Sequence, residues 1–188
     1  PQVWRDAVEL GWSAIPFPED FGGLDFGCQG LGPIFETMGR NLSAMPLLSS
    51  VVLGGSLLYL AGNPAQRAHW LQSIITGEQR LALAIDERAR HDPSRIALQA
   101  VACGTGYRLH GDKFCVVDGL GADAYVVAAR SSGQPGDTQG ISLFLLPAGT
   151  PGLTVSALPL IDSRNSARLQ LDQVQVGGEA LLGTLGDG

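Results

Sequence analysis

The sequence is almost without lysine, since Lys113 stands against eleven arginines and 18 acidic residues. The formal net charge of −6 argues against nucleic acid as a partner, because such a surface needs clustered basic groups that neutralise phosphates. Long apolar runs are also missing. The longest, at residues 47–60, is interrupted by serines and glycines and is too short for a membrane-spanning helix. We therefore expect no membrane insertion.

Cysteine and histidine are scarce, with three of each. Cys28, Cys103 and Cys115 show no metal-ligand spacing and the histidines are dispersed, so we expect no metal site. The odd number of cysteines favours buried, reduced thiols in a cytoplasmic protein. The first residues lack the basic and then apolar pattern of a signal peptide, which agrees with that location.

Hydrophobic residues make up 45% of the chain, enough for a packed core. Apolar residues at spacings of three and four predict helices over residues 1–79. The first helix ends at Gly11 and the second, over 31–38, at Gly39. Residues 47–60 are apolar on nearly all sides, which predicts a buried helix. Asn63 and Pro64 are typical of a capped helix start.

In residues 80–188, short apolar or alternating runs separated by turn residues predict strands and turns. Leu81–Ile85 predicts a buried strand, and Gly104-Thr105-Gly106 predicts a hairpin between two further strands. Gly111-Asp112 predicts a turn into a strand at Lys113–Val117, and later strands are expected at 124–129, 141–146 and 168–172. The fold class is therefore α+β, with an all-α N-terminal domain at 1–79 and a second domain, a β-barrel or sandwich, at 80–188.

One polar segment, Asp86–Asp92, directly follows the predicted buried strand. Polar groups at a strand end are common at binding sites. The alternative, which the residues alone favour, is a solvated loop with local ion pairs. Asp118 and Asp123 either serve a second functional loop or form turns. The glycines of Gly104-x-Gly106 precede a strand and not a helix, so they are no dinucleotide fingerprint.

A set of short motifs occurs in order along almost the whole chain. They are Leu10-Gly11-Trp12 with Pro18–Gly23, Glu36–Arg40, Trp70–Glu78, Gly111-Asp112-Lys113 with Ala122-Asp123, and Gly152-Leu153 with Leu171–Val176. Together they resemble the acyl-CoA dehydrogenase family. The resemblance implies a helical first domain, a β-barrel-like middle domain and a C-terminal four-helix domain that this chain lacks.

The resemblance also implies a function. Family members bind FAD and remove two hydrogens from the α and β carbons of an acyl-CoA, with a carboxylate base supplied by the C-terminal domain. Electrons pass to an electron-transfer flavoprotein, and the subunits form dimers or tetramers, some of them heteromeric. No catalytic residue is therefore assigned to this chain, and we expect the chain alone to be inactive.

Two segments carry the expected ligand contacts. The resemblance places cofactor-binding positions at Ala84, Asp86 and Glu87, and substrate-binding positions at His91 and Asp92. Of the family pattern Thr-Glu-Pro-x-x-Gly-Ser-Asp, only Glu87 keeps its identity. The altered segment resembles a divergent branch that includes small subunits of pimeloyl-CoA dehydrogenase-like enzymes.

The second cofactor segment is Cys115-Val116-Val117. The family pattern there is Trp-Ile-(Thr/Ser), so the aromatic ring and the hydroxyl that usually contact the flavin are both replaced. These changes motivate an alternative function, a non-catalytic, flavin-poor partner subunit of a heteromeric enzyme. A third hypothesis makes Glu87 a general base, although a structural carboxylate at this position is the favoured interpretation.

Overall fold

Helices precede strands in the computed structural model, which describes residues 2–188 and confirms the α+β class. The chain separates into two compact units, one ending at Leu81 and the other formed by Ala82–Gly188. The domain boundary after residue 79 stays a proposal. No helix within residues 2–188 has the length and apolar character needed to cross a bilayer.

The first unit is built from short helices. Asn63 begins one of them with a capping box: its Oδ1 accepts a hydrogen bond from the Gln66 N–H, and Gln66 Oε1 accepts one from the Asn63 N–H. The second predicted helix continues one residue beyond Gly39. The helices are α1 (Gln2–Glu9), α2 (Gly32–Arg40), a π-helical stretch (Leu47–Gly55) continued by α3 (Ser56–Ala61), α4 (Pro64–Gln66), a π turn (Arg67–Leu71) and α5 (Gln72–Ile75), with 3-10 turns at Glu19–Phe21 and Cys28–Leu31.

The second unit is an eight-stranded sheet. Its strand order is β6-β7-β3-β2-β4-β5-β8, with β1 paired to β4. The strands are β1 (Leu81–Ala84), β2 (Gln99–Cys103), β3 (Gly106–Val117), β4 (Ala124–Arg130), β5 (Ile141–Pro147), β6 (Leu153–Ala157), β7 (Ser166–Gly177) and β8 (Leu181–Leu182). A single parallel residue pair, Gln99 with Arg130, joins β2 to β4. Side chains from both sides of this junction fill one apolar core.

One expectation about local structure is wrong, and another is confirmed with a different end point. Gly111 and Asp112 form no turn, because both lie inside β3, where Gly111 has a φ of 142° and pairs with Leu171. The irregularity there is a β-bulge, in which β7 carries the extra residue. The strand predicted over Leu81–Ile85 ends one residue earlier, at Ala84.

The predicted burial of the cysteines is also wrong. Cys28 and Cys103 are exposed and Cys115 is partly exposed, and all three are free thiols. Cys28 opens a 3-10 turn and Cys103 is the last residue of β2 before the hairpin, so each lies at the end of an element. The prediction followed the average preference of cysteine for the interior, which says little about residues at element ends.

Candidate functional site

The two segments expected to contact a ligand lie next to each other in the β unit. The Phe114 N–H donates a 2.7 Å hydrogen bond to the Asp86 carbonyl oxygen. This bond joins the start of the polar segment, Asp86–Asp92, to β3 one residue before Cys115. The structure thus brings together residues that are almost thirty positions apart in the sequence.

A second β-bulge shapes the end of β3. Lys113 pairs with Leu169 and Val116 with Ala167, so Phe114 and Cys115 oppose one residue of β7. Cys115 has a φ of 54°, a left-handed conformation that is uncommon for residues other than glycine. Such strained residues cluster at functional sites. The bulge releases Phe114 from the regular ladder, and its N–H bonds to Asp86 instead.

Glu87 and Lys113 form an ion pair inside the β unit. Lys113 Nζ lies 2.8 Å from Glu87 Oε1 and 2.9 Å from the carbonyl oxygen of Ile85. The other bonds to Glu87 come from the N–H groups of Ala97, to Oε2, and Leu98, to Oε1, each at 2.9 Å. Burial lowers the pKa of Lys113, and the Glu87 carboxylate offsets part of that decrease. With both oxygens already accepting hydrogen bonds, Glu87 is built as a structural group.

The polar segment folds back on the Asp86 carboxylate. His91 Nδ1 lies 3.0 Å from both carboxylate oxygens, and the Asp92 N–H donates to Oδ1 at 3.3 Å. The Ser94 hydroxyl in turn donates to Asp92 Oδ1 at 2.8 Å. His91 is largely exposed, whereas the Asp86 side chain is mostly covered. The segment therefore combines a solvated outer part, where His91 contacts the Asp86 carboxylate, and an ordered inner part.

Cys115 lies beside this carboxylate in the β unit. Burial raises the pKa of the Cys115 thiol, and the negative charge of Asp86 raises it further. The thiol is therefore kept in its neutral form at neutral pH, which makes it a poor nucleophile.

The loop after β3 is held by two side chains. Asn165 accepts from the Leu120 N–H at 3.1 Å and donates to the Leu120 carbonyl at 2.9 Å. The buried Tyr125 hydroxyl donates to the Gly119 carbonyl at 2.8 Å, and its burial, helped by Asp123, raises the pKa of Tyr125. Asp118 has a φ of 53° and its N–H bonds to the Asn165 carbonyl, a turn geometry.

Sequence reasoning missed Arg130. Its side chain is buried and donates four hydrogen bonds, all to backbone carbonyl oxygens. The signal was present, because Arg130 is the one charged residue of β4, a strand that is buried along its whole length.

Some side chains at the predicted cofactor positions are buried in the core, and others are exposed. Ala84 and Val116 belong to the apolar core, so only their backbone groups are placed to meet a ligand. Val117 is 45% exposed and Cys115 partly exposed. Sites for ring-shaped ligands are mostly apolar and contain a few placed polar groups, and here an exposed valine stands beside a bulged backbone. The arrangement is thus compatible with a flavin.

Two surface cavities of the β unit are lined by other residues than those of the candidate site. One surface cavity of about 530 Å³ is lined by Ser132, Gly133 and residues 136–139, and another of about 300 Å³ by residues around Cys103 and Gln175. No group of three or more potential metal ligands occurs within residues 2–188.

Comparisons with known proteins agree on one family. Residues 1–78 match the family described as acyl-CoA dehydrogenase, N-terminal domain. The acyl-CoA dehydrogenase FadE27 of Mycobacterium tuberculosis is 31% identical over 182 residues, which are 97% of this chain and 46% of that protein. The chain thus spans about half the length of the curated relatives it matches.

Solved structures give the same result. A chain of the ChsE4–ChsE5 complex from Mycobacterium tuberculosis is 32% identical with a TM-score of 0.85, over 97% of this chain and 48% of that one. Butyryl-CoA dehydrogenase from Megasphaera elsdenii is 26% identical with a TM-score of 0.85, over 100% of this chain and 51% of that one.

Proposed function

Because this chain belongs to the acyl-CoA dehydrogenase family, we propose that it forms the helical and β units of a flavin-dependent enzyme that dehydrogenates an acyl-CoA thioester. The observation that carries this proposal is the likeness to FadE27 along 97% of the chain. The hydrogen bond from the Phe114 N–H to the Asp86 carbonyl supports it, because the two segments predicted to hold the cofactor lie side by side.

FAD is the proposed cofactor. When bound, it would accept the hydride that leaves the β carbon, while the protein binds and orients it. The bulged backbone at Phe114 and Cys115 would contact polar atoms of the ring system, and Val117 would pack against it. Asp86 and Glu87 would act through the backbone that they hold in place, since their carboxylates are engaged within the protein.

Substrate and partners follow from the family. His91 and Asp92, at the outer part of the polar segment, are the proposed contacts to an acyl-CoA. An electron-transfer flavoprotein is the proposed electron acceptor, in a cytoplasmic dimer or tetramer. These assignments concern a protein of the full length of the relatives. Those relatives are about twice as long as this chain.

A flavin-poor partner subunit is the second candidate function. Two observations favour it: the 32% identity to a chain of the ChsE4–ChsE5 complex, and the presence of Val117 where the family pattern has a hydroxyl. Such a subunit would shape a heteromer whose flavin is held by the partner.

The decisive measurement is the visible absorbance of the intact protein, purified alone and after co-expression with a neighbouring dehydrogenase subunit. We expect flavin absorbance that an acyl-CoA bleaches under anaerobic conditions. A protein that takes up no FAD in either form would refute the first proposal. A fully active, flavin-loaded homo-oligomer would refute the second.

A matched pair of variants tests whether a flavin contacts Val117. Val117→Thr adds a hydroxyl at the proposed ring contact, and one added hydrogen bond should lower the dissociation constant for FAD about tenfold. Val101→Thr makes the same change at an equally exposed valine of β2 and should leave that constant unchanged. Equal effects of the two substitutions would argue against a flavin at Val117.

A further inference from the structure

Arg130 is a buried cation without an acidic partner. It is 6% exposed, and none of the ion pairs formed within residues 2–188 includes it. A buried charge is costly unless its hydrogen-bonding groups are satisfied. Here four backbone carbonyl oxygens take that role, at 2.6 to 3.1 Å. The guanidinium therefore serves to hold backbone.

The four acceptors belong to two different loops. Arg130 Nη2 and Nε donate to the carbonyls of Ser94 and Ile96, just after the polar segment. Nη1 and Nη2 donate to the carbonyls of Gln139 and Asp137, in the loop between β4 and β5. The Gly136 N–H also donates to the Ser94 carbonyl at 3.0 Å. One side chain thus fixes the β4–β5 loop and the far end of the polar segment together.

The contacts continue from Ser94 into the candidate site. The Ser94 hydroxyl bonds to Asp92 Oδ1, the Asp92 N–H bonds to Asp86 Oδ1, and the Asp86 carbonyl accepts from Phe114. Lys113 and Glu87 fix the near end of the same segment. The backbone from Ile85 to Leu98 is therefore held by a buried cation at each end, Lys113 near its start and Arg130 near its end.

We propose that Arg130 is a positioning residue that fixes the Asp86–Leu98 backbone against the β4–β5 loop, and thereby orders the cofactor site. That the ordered site binds a cofactor rests on the proposed function, whereas the coupling of the two loops does not depend on it. Arg130 touches no ligand itself. It acts through Ser94 and Asp92.

An arginine is needed for this geometry. Its planar fork presents five N–H donors in fixed directions, so it reaches carbonyls on two loops at once. A lysine offers three donors from one atom and cannot span the same set. Arg130→Lys therefore keeps the charge and removes the fork.

Amide hydrogen exchange of the intact protein tests the coupling. In Arg130→Lys we expect exchange to accelerate about tenfold in both loops, residues 92–98 and 134–140, because local opening costs less once their shared bonds are lost. Amides of β3 and β7 should keep their protection. Arg168→Lys, an exposed strand arginine paired with Asp112, is the matched control and should change neither loop.

Ser94→Ala provides a milder variant that keeps all four Arg130 bonds, because they end on backbone. It should accelerate exchange at residues 86–92 and leave 134–140 unchanged. Uniform acceleration across β3 and β7 in Arg130→Lys, or no acceleration in either loop, would overturn the proposal. If Arg130→Lys fails to fold, the Ser94→Ala pattern decides, and faster exchange confined to 134–140 or absent altogether counts against the relay.

The affinity for FAD supplies the second readout. We expect the dissociation constant to rise about tenfold in Arg130→Lys, comparable to the loss of one hydrogen bond, and to stay unchanged in Arg168→Lys. An unchanged constant despite loosened loops would overturn the role in the cofactor site. If the unsubstituted protein takes up no FAD, the proposed function fails, while the exchange pattern still decides whether Arg130 couples the loops.

Discussion

Glu87 Oε1 lies 2.8 Å from Lys113 Nζ, and this ion pair holds the one lysine of the chain in the interior of the β unit. The lysine side chain has no exposed surface, and the carboxylate also accepts bonds from two backbone N–H groups. The pair therefore closes the long loop between β1 and β2 at its base. Its energetic role is open to direct measurement.

Removing either partner should destabilise the protein strongly. Glu87→Gln and Lys113→Met each leave a buried group without its counterpart, at a cost of about 3–5 kcal/mol. The double variant should lose less than the sum of the two, which urea denaturation measures as a coupling free energy. Asp112→Asn, which breaks the exposed pair with Arg168, should change the free energy of unfolding by only about 0.5 kcal/mol. Additive losses for Glu87 and Lys113 would contradict the pairing.

The loss in Glu87→Gln should also depend on pH. Without the carboxylate, the pKa of Lys113, already lowered by burial, falls further. An amine whose pKa is lower in the folded than in the unfolded state destabilises the fold at low pH, and this penalty is relieved as the pH rises toward the unfolded value. We therefore expect a smaller difference in unfolding free energy at pH 10 than at pH 7. A difference that grows with pH would contradict this assignment of charges.

The same Glu87→Gln variant tests the hypothesis that Glu87 acts as a base. If Glu87 only holds the backbone of the site, the folded, FAD-saturated variant of the intact protein should lose less than about tenfold in its rate of acyl-CoA oxidation at saturating substrate. A general base contributes about 10²–10⁴-fold to the rate. A loss of that size, measured at a temperature where the variant remains folded, would make the carboxylate catalytic after all.

Cys115 should alkylate only at high pH. In a Cys28→Ser, Cys103→Ser background, the reaction with iodoacetamide should reach half its maximal rate above the pH of an ordinary thiol, because burial and Asp86 raise the pKa of Cys115. Asp86→Asn removes the nearby charge and should shift the midpoint to lower pH. Asp172→Asn removes a charge from an exposed position of β7 and should leave it in place. A midpoint insensitive to Asp86 would disprove the electrostatic contribution.

Asn165 should control the order of the loop that follows β3. Its two bonds to Leu120 imitate a strand pairing, so Asn165→Ala should cost about 1 kcal/mol and accelerate exchange of the Leu120 amide. Asn63→Ala removes an N-cap in the helical unit and should cost a similar amount. It should leave Leu120 unaffected, which separates a local effect from a general loss of stability.

Local signals were readable from the sequence, whereas partners distant in sequence were not. Asn63-Pro64 carries its capping chemistry within four residues, and the structure confirms it. A glycine such as Gly111 is compatible with a turn or with a bulged strand, and only the opposing β7 decides between them. The exposure of Cys28 and Cys103 likewise depends on where an element ends, and that of Cys115 depends on the bulge within β3.

The site shows the same division. The resemblance to a family singled out the polar segment and Cys115–Val117, and their contact through Asp86 and Phe114 emerged only in the fold. The pairing of Lys113 with Glu87 joins residues 26 positions apart, and Arg130 reaches a carbonyl 36 positions away. Backbone carbonyls leave no trace in a sequence, so no pattern could have named the partners of Arg130. The roles of the individual ligand-binding residues stay predictions.

The single residue pair between β2 and β4 has a mechanical consequence. Strands β3 and β7 are paired along most of their length, whereas β2 and β4 meet only at Gln99 and Arg130. Under a pulling force that loads the sheet across its strands, the β unit should therefore tear at this junction first. The guanidinium of Arg130, which bonds to carbonyls on both sides of the junction, and the shared apolar core would then carry the load.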